Sequence, residues 1–201
     1  MPSMIFTSRI NEAILLASHL HRHQTRKDGQ MTPYVSHLFS VMTILSQVTD
    51  DEDILIAGLM HDSLEDVPKY TYEKLVADCG HRVADIVQHV TEPLDANKID
   101  SEQIPWLERK EKYLENIRTG GIESALVSVA DKIHNTESFL RDARYEQGDF
   151  LIRFDSSLRN KVLFHEQVLV VVEEKLGKEN VLVERLRKDI EDFKKLVEEV
   201  E

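Results

Sequence analysis

A chain of 201 residues is long enough for one sizeable domain, and 7 Gly, 5 Pro, 31% charged and 41% hydrophobic residues suit a soluble helical one with a real core. A single cysteine, Cys79, excludes an internal disulfide and a sulfur-rich metal site. The formal net charge of −12 argues against a general nucleic-acid binder, which needs a cationic surface, but leaves room for a phosphorylated small molecule bound beside a metal.

Apolar residues recur at helical spacing along almost the whole chain, so the expected fold class is all-α. Ile10, Ala13, Ile14, Ala17 and Leu20 mark a first helix, which runs through His21-Arg22-His23 into a polar loop around Asp28-Gly29-Gln30. Pro33 can start a second helix whose inner face is Val35, Leu38, Val41, Met42 and Leu45. Asp50 or Asp51 caps a third, apolar helix expected to continue through His61, Asp62, Glu65 and Asp66 until Pro68 ends it. Thr71 to Asp78 and His81 to Val90 read as two short helices, followed by a polar loop from Thr91 to Pro105. Trp106 to Ile117 is helical, and Gly120-Gly121 breaks the chain before a long helix from about Ile122 to Tyr145. Phe150 to Leu176 reads as helix, with an irregular start around Asp155-Ser156-Ser157. Leu182, Leu186, Ile190, Phe193, Val197 and Val200 form a three- and four-spaced stripe on a highly charged last helix, which either docks on the domain or meets a second copy as a homodimer seam. The runs such as Ile54 to Met60 are far too short to span a bilayer, and Met1 to Ile10 is unlike a secretory signal, so a cytoplasmic protein without a membrane partner is expected.

The dipeptide His61-Asp62 is weak by itself, but two polar residues near the end of an apolar helix would ordinarily be a packing error. Glu65 follows His61 by four residues and Asp66 follows Asp62 by four, so both carboxylates fall one turn along. Three acids and an imidazole crowded together repel unless protons or a cation compensate them, and a divalent metal is the simplest compensation. The alternative is a solvated helix end with Glu65 and Asp66 facing water. Other ligands can come from His37 on the second helix and from Asp131, flanked by apolar residues in mid-helix. Asn135 and Ser138 follow Asp131 at four and seven residues, a polar ridge suited to a ligand or to a buried structural network. Two imidazoles with two carboxylates suit Mn²⁺, Fe²⁺ or Zn²⁺ better than Ca²⁺.

His37 after Pro33-Tyr34-Val35-Ser36, then His61-Asp62-Ser63-Leu64-Glu65-Asp66, then Asp131-Lys132-Ile133-His134-Asn135 resembles the HD-domain phosphohydrolases. Among these the pattern is most similar to the alarmone hydrolases of RelA/SpoT type, including the small stand-alone ones, over roughly Ala13 to Leu176. The resemblance implies a single all-α helical bundle of the HD type over residues 1–176, with the amphipathic helix of 177–201 added to it. It implies that His37, His61, Asp62 and Asp131 hold one metal, usually Mn²⁺, with Fe²⁺, Zn²⁺ or Ni²⁺ as alternatives. Glu65 and Asp66 match the acidic pair that orients or deprotonates the attacking water. Arg26 and Lys27 match a basic pair that packs on a purine and steers phosphate, and Asn135 and Ser138 match positions lining the nucleoside pocket. The family removes the 3′-pyrophosphate of guanosine tetra- or pentaphosphate.

The chain departs from that pattern in having Gln30-Met31-Thr32 between Gly29 and Pro33, where these hydrolases have one residue, and Leu38 where Pro is usual. No synthetase domain follows, so alarmone synthesis is not expected. Pro105-Trp106-Leu107-Glu108-Arg109-Lys110 resembles a block of small bacterial HD proteins. Phosphoryl transfer also needs cations for the charge that builds on oxygen; Arg26, Lys27 and Lys132 are the candidates, while Arg109, Lys110 and Arg141 read as surface charges. The remaining histidines, including His165, read as structural or exposed, and His134 as support for a ligand rather than a ligand. The expected activity is therefore a guanosine-3′,5′-bis(diphosphate) 3′-pyrophosphohydrolase. A nucleotidase or phosphomonoesterase on the same metal, and a nucleotide-sensing module without catalysis, are the alternatives.

Overall fold

The apolar third helix occupies the middle of the structure. It runs as α3 (Glu52–Met60), and every residue from Ile54 to Met60 is buried, which is why it carries no polar face. The computed structural model describes residues 6–28, 30–92, 105–146 and 158–200. Around α3 pack α1 (Ser8–Leu20), α2 (Val35–Leu45), α6 (His81–Val90) and the long α8 (Ile122–Glu146). The short α4 (Ser63–Asp66) and α5 (Tyr72–Cys79) connect α3 to α6, and α7 (Trp106–Thr119) covers α6, α8 and α9 (Leu158–Leu176). Among the described residues there are no strands, only an isolated antiparallel bridge between Thr25 and Pro33. The expected loop from Thr91 to Pro105 and the expected helix start from Phe150 to Ser157 lie, for residues 93–104 and 150–157, outside the described residues.

Local chemistry sets the helix starts. Thr7, Asp51 and Thr71 each accept a backbone N–H of the first turn, from Ile10, Asp53 and Lys74 respectively, satisfying donors that the helix itself cannot. Gly58 lets α3 approach α2 closely: a Cβ there would come within 2.5 Å of Leu45 Cδ1. That approach brings the C-terminal end of α3, and His61 with it, against His37 of α2, the two rings lying 5.1 Å apart. At the other end of the chain, Gly177 adopts φ of 85° and turns α9 into α10 (Val181–Val200). The α10 stripe is buried against α8 and α9 through Leu182, Leu186, Ile190, Phe193 and Val197. Each such side chain contributes about 1.5–3 kcal/mol relative to exposure. Phe193 packs against Phe139 of α8, the rings tilted with their centres 4.6 Å apart. No helix among the described residues is long and apolar enough to cross a membrane.

One expectation about the third helix is corrected. It does not continue through Asp66 but stops at Met60; His61 and Asp62 form a turn, and α4 begins at Ser63. Both turn residues keep right-handed φ and ψ, and Asp66 N–H still bonds the Asp62 carbonyl at 2.8 Å. At the break the His61 ring turns back and hydrogen-bonds the Gly58 carbonyl at 2.9 Å.

Candidate metal centre and cleft

His37 from α2, His61 and Asp62 from the turn after α3, and Asp131 from α8 converge on one point. Ligand atoms of His37, His61 and Asp62 lie within 4.8 Å of one another. Asp131 Oδ1 lies 3.1 Å from His37 Nε2 and 3.6 Å from His61 Nε2. Asp62 Oδ2 lies 3.1 Å from His61 Nε2 and 3.6 Å from His37 Nε2. Both imidazoles are almost wholly buried, at 1% and 4% exposure.

The protonation pattern fits a cation. A carbonyl only accepts, so the bond to Gly58 places the hydrogen of His61 on Nδ1 and leaves Nε2 as the lone pair facing the carboxylates. That Nε2 is buried with no hydrogen-bond partner, an orphaned donor atom aimed at the cluster. Burial opposes a proton on His61, but the Asp62 and Asp131 charges outweigh it and hold the group well above the usual imidazole range. In other words, the two carboxylates demand a positive charge at this point, and a proton competes for the place. Two nitrogen and two oxygen donors, preorganised, suit a divalent transition metal.

The carboxylates are individually held. Tyr34 donates its hydroxyl to Asp62 Oδ2 at 2.7 Å. Lys132 Nζ reaches Asp131 Oδ2 at 2.5 Å, and Asn135 Nδ2 donates to Asp131 Oδ1 at 2.6 Å. Although burial works against its charge, Asp131 is kept well below the ordinary carboxylate range, first by Lys132. Glu65 has the opposite environment: burial, then the Asp62 charge, then Glu92 raise it to about 7. Its Oε2 accepts the Glu92 N–H at 3.2 Å. Asp66 is raised too, by burial and by Asp62. One carboxylate cluster thus stays ionised while its neighbour is poised near neutrality, the division of labour that acid–base chemistry requires.

These groups line one cleft of about 980 Å³, which also includes Arg26, Lys27, Lys132, His134, Asn135 and Ser138. Arg26 lies over the Tyr34 ring, 5.5 Å from its centre, and donates to Asn135 Oδ1 at 2.9 Å. Asn135 therefore joins the Arg26 side of the cleft to Asp131. Lys27 is exposed at the rim. The loop carrying Arg26 and Lys27 is closed by Arg26 N–H to the Thr32 carbonyl at 2.8 Å, and Asp28 accepts Gln30 N–H at 3.0 Å. Gln30-Met31-Thr32 is thus folded back around Asp28, with Met31 at φ of 58° and largely exposed.

One residue is placed differently from its expected role. Lys110 is not a surface charge: it is paired with Glu92, lines the cleft, and sits over the Phe164 ring at 4.4 Å. Arg141 is exposed, as expected, and pairs with Asp142 at the border of the cleft. His165 is held by a hydrogen bond with Thr136 at 2.9 Å, in keeping with a structural histidine, at the lining of the cleft. Tyr34, which its motif contained but no spacing rule singled out, joins the cluster through its hydroxyl on Asp62.

An all-α bundle that brings two imidazoles and two carboxylates from two helices and a turn to one point, with two more acids beside it, defines a hydrolase with a divalent metal. The HD domain family matches residues 13–149, and the chain belongs to it, in the branch of RelA/SpoT-type hydrolases. Among its relatives, guanosine-3′,5′-bis(diphosphate) 3′-pyrophosphohydrolase MESH1 of Danio rerio is 35% identical over 138 residues, 67% of this chain and 71% of that protein. MESH1 of Drosophila melanogaster is 34% identical over 131 residues, 64% of this chain and 68% of that protein. The bifunctional (p)ppGpp synthase/hydrolase SpoT of Escherichia coli K12 is 33% identical over 133 residues, 63% of this chain but 17% of SpoT. A solved metazoan ortholog of SpoT, described as hydrolysing ppGpp, superposes with a TM-score of 0.74 at 25% identity, covering 94% of this chain and 97% of that one.

Proposed function

We propose that this protein is a guanosine-3′,5′-bis(diphosphate) 3′-pyrophosphohydrolase that works with one Mn²⁺ held by His37, His61, Asp62 and Asp131. The observation that carries this reading is the convergence of these four side chains, with Glu65 and Asp66 beside them, in a chain about a third identical to MESH1. The bound cation supplies an acidified water and a polarised phosphoryl oxygen.

The chain's own residues do the rest. Glu65, poised at about 7 in the metal-free site, takes a proton from the attacking water, and Asp66 holds that water toward phosphorus. Glu65 passes that proton to the 3′ oxygen as its bond to phosphorus breaks, and guanosine 5′-diphosphate and pyrophosphate are the products. Arg26, stacked on Tyr34 and tied to Asn135, offers its guanidinium plane to the purine. Lys27 at the rim steers phosphate, Lys132 balances charge beside Asp131, and Asn135 and Ser138 border the nucleoside. Residues 1–176 form the hydrolase unit and 177–201 a helix docked on it, a division supported by the buried α10 stripe. The enzyme is read as cytoplasmic and acting on small nucleotides with no membrane partner, and the charge of −12 disfavours a nucleic-acid partner.

Metal-stripped protein reconstituted separately with Mn²⁺, Fe²⁺, Zn²⁺ or Ni²⁺ tests both substrate and metal. Guanosine tetraphosphate should be turned over fastest with Mn²⁺, and nucleotides phosphorylated only at the 5′ position should be poor substrates. Cleavage of 5′-nucleotides alone would establish a nucleotidase instead, and metal uptake without turnover of any nucleotide would favour a sensing module.

A further inference from the structure

Both proposed ligand imidazoles turn Nε2 toward the carboxylates, so each needs its hydrogen on Nδ1 and a group to hold it there. For His61 that group is the Gly58 carbonyl. For His37 it is another side chain: His37 Nδ1 lies 2.7 Å from His134 Nδ1, with the rings 4.8 Å apart. Two ring nitrogens at that distance share a single hydrogen, one donating and one accepting. If His37 accepted, its own hydrogen would sit on Nε2, where the cation belongs. If His37 donates, Nε2 is a free lone pair 3.1 Å from Asp131 Oδ1.

We infer that His134 is a positioning residue: its Nδ1 accepts the His37 Nδ1–H, fixing the tautomer and ring orientation in which His37 can bind a metal. This rests on the reading of His37 as a ligand. The remaining hydrogen of His134 then lies on Nε2, directed at Ser138 Oγ in a long contact of 3.5 Å. Ser138 is buried, so it ends this chain of hydrogen bonds as well as bordering the cleft. The long α8 thereby supplies one ligand, Asp131, and one turn later the group that orients a second ligand on α2. His61 uses a backbone carbonyl for the same purpose, which no side-chain substitution removes; the His37 side is the one that sequence can alter.

Substitutions at 134 separate the accepting atom from the bulk of the ring. Asparagine places Oδ1 where histidine has Nδ1, whereas glutamine offers its polar atoms farther out and leucine offers none. Calorimetric titration of metal-stripped protein with MnCl₂ is the readout, with melting of the metal-free protein as the check on folding. His134→Leu and His134→Gln should weaken Mn²⁺ binding about 10- to 100-fold, and His134→Asn should restore most of that loss. Ser138→Ala, which leaves Nδ1 in place, should cost less than His134→Leu. Wild-type affinity in His134→Leu, a loss in His134→Asn as large as in His134→Gln, or a loss in Ser138→Ala as large as in His134→Leu, overturns the assignment. A wild-type protein that takes up no Mn²⁺ overturns the metal centre itself, which tells the two failures apart.

Discussion

Replacing Glu65 by glutamine should stabilise the metal-free protein while abolishing its activity. In the folded chain burial, and then the Asp62 charge, raise Glu65 to about 7 from an ordinary 4.5. A carboxyl with a raised folded value binds its proton more tightly in the native state. Its contribution to stability is therefore fully present below the unfolded value and is lost as pH rises from 4.5 to about 7. At about 1.4 kcal/mol for each tenfold change in proton affinity, holding Glu65 ionised above pH 7 costs at most about 3 kcal/mol. Glu65→Gln removes that cost, and for a chain of this size the gain corresponds to roughly 6–12 °C in melting temperature. Thermal melts of metal-stripped wild type and variant from pH 4.5 to 8 check it: the difference should open as pH rises and level off above pH 7. Turnover with Mn²⁺ should fall about 10²- to 10⁴-fold in the same variant. A variant that melts no higher than wild type at pH 8, or a difference independent of pH, would refute the electrostatic reasoning.

Mn²⁺ affinity should fall as pH is lowered from 8 to 6, because the ion must displace the proton that Asp62 and Asp131 favour on His61; an affinity independent of pH over that range would contradict the placement of His61. Asn135→Ala removes bonds to both Asp131 and Arg26, so Mn²⁺ affinity and kcat/KM should each drop about 10-fold or more, measured by calorimetry and steady-state kinetics. Lys110→Met leaves Glu92 without its cation in a largely buried position, at 13% exposure; urea unfolding should show a loss of about 2–3 kcal/mol. Phe193→Ala empties a fully buried position against Phe139 and should cost about 3–5 kcal/mol by the same assay, without changing Mn²⁺ affinity.

The parts of the site that sequence exposed were those in which residue type and spacing carry the chemistry. His61-Asp62 with Glu65 and Asp66 a turn later stands out because apolar surroundings make four polar side chains costly without a purpose. Asp131 stands out for the same reason in α8. Helix type and order followed from apolar periodicity and from caps such as Thr71 and Asp51. What periodicity could not show is a change of direction that keeps right-handed dihedrals, so the break at His61-Asp62 was invisible until the ring of His61 was seen on the Gly58 carbonyl. Contacts between distant residues were equally hidden. Lys110 carries nothing in its neighbourhood to distinguish a rim charge from one drawn into the cleft by Glu92. The His37–His134 hydrogen bond spans 97 positions and joins α2 to α8.

Phosphorus NMR of guanosine tetraphosphate incubated with the Mn²⁺-loaded protein is the most direct test of the proposed reaction. Pyrophosphate and guanosine 5′-diphosphate should appear in equal amounts, with no orthophosphate, and Asp62→Ala or removal of the metal by a chelator should stop their formation. Release of orthophosphate from the nucleotide, or a spectrum that stays unchanged while the protein holds its Mn²⁺, would contradict it.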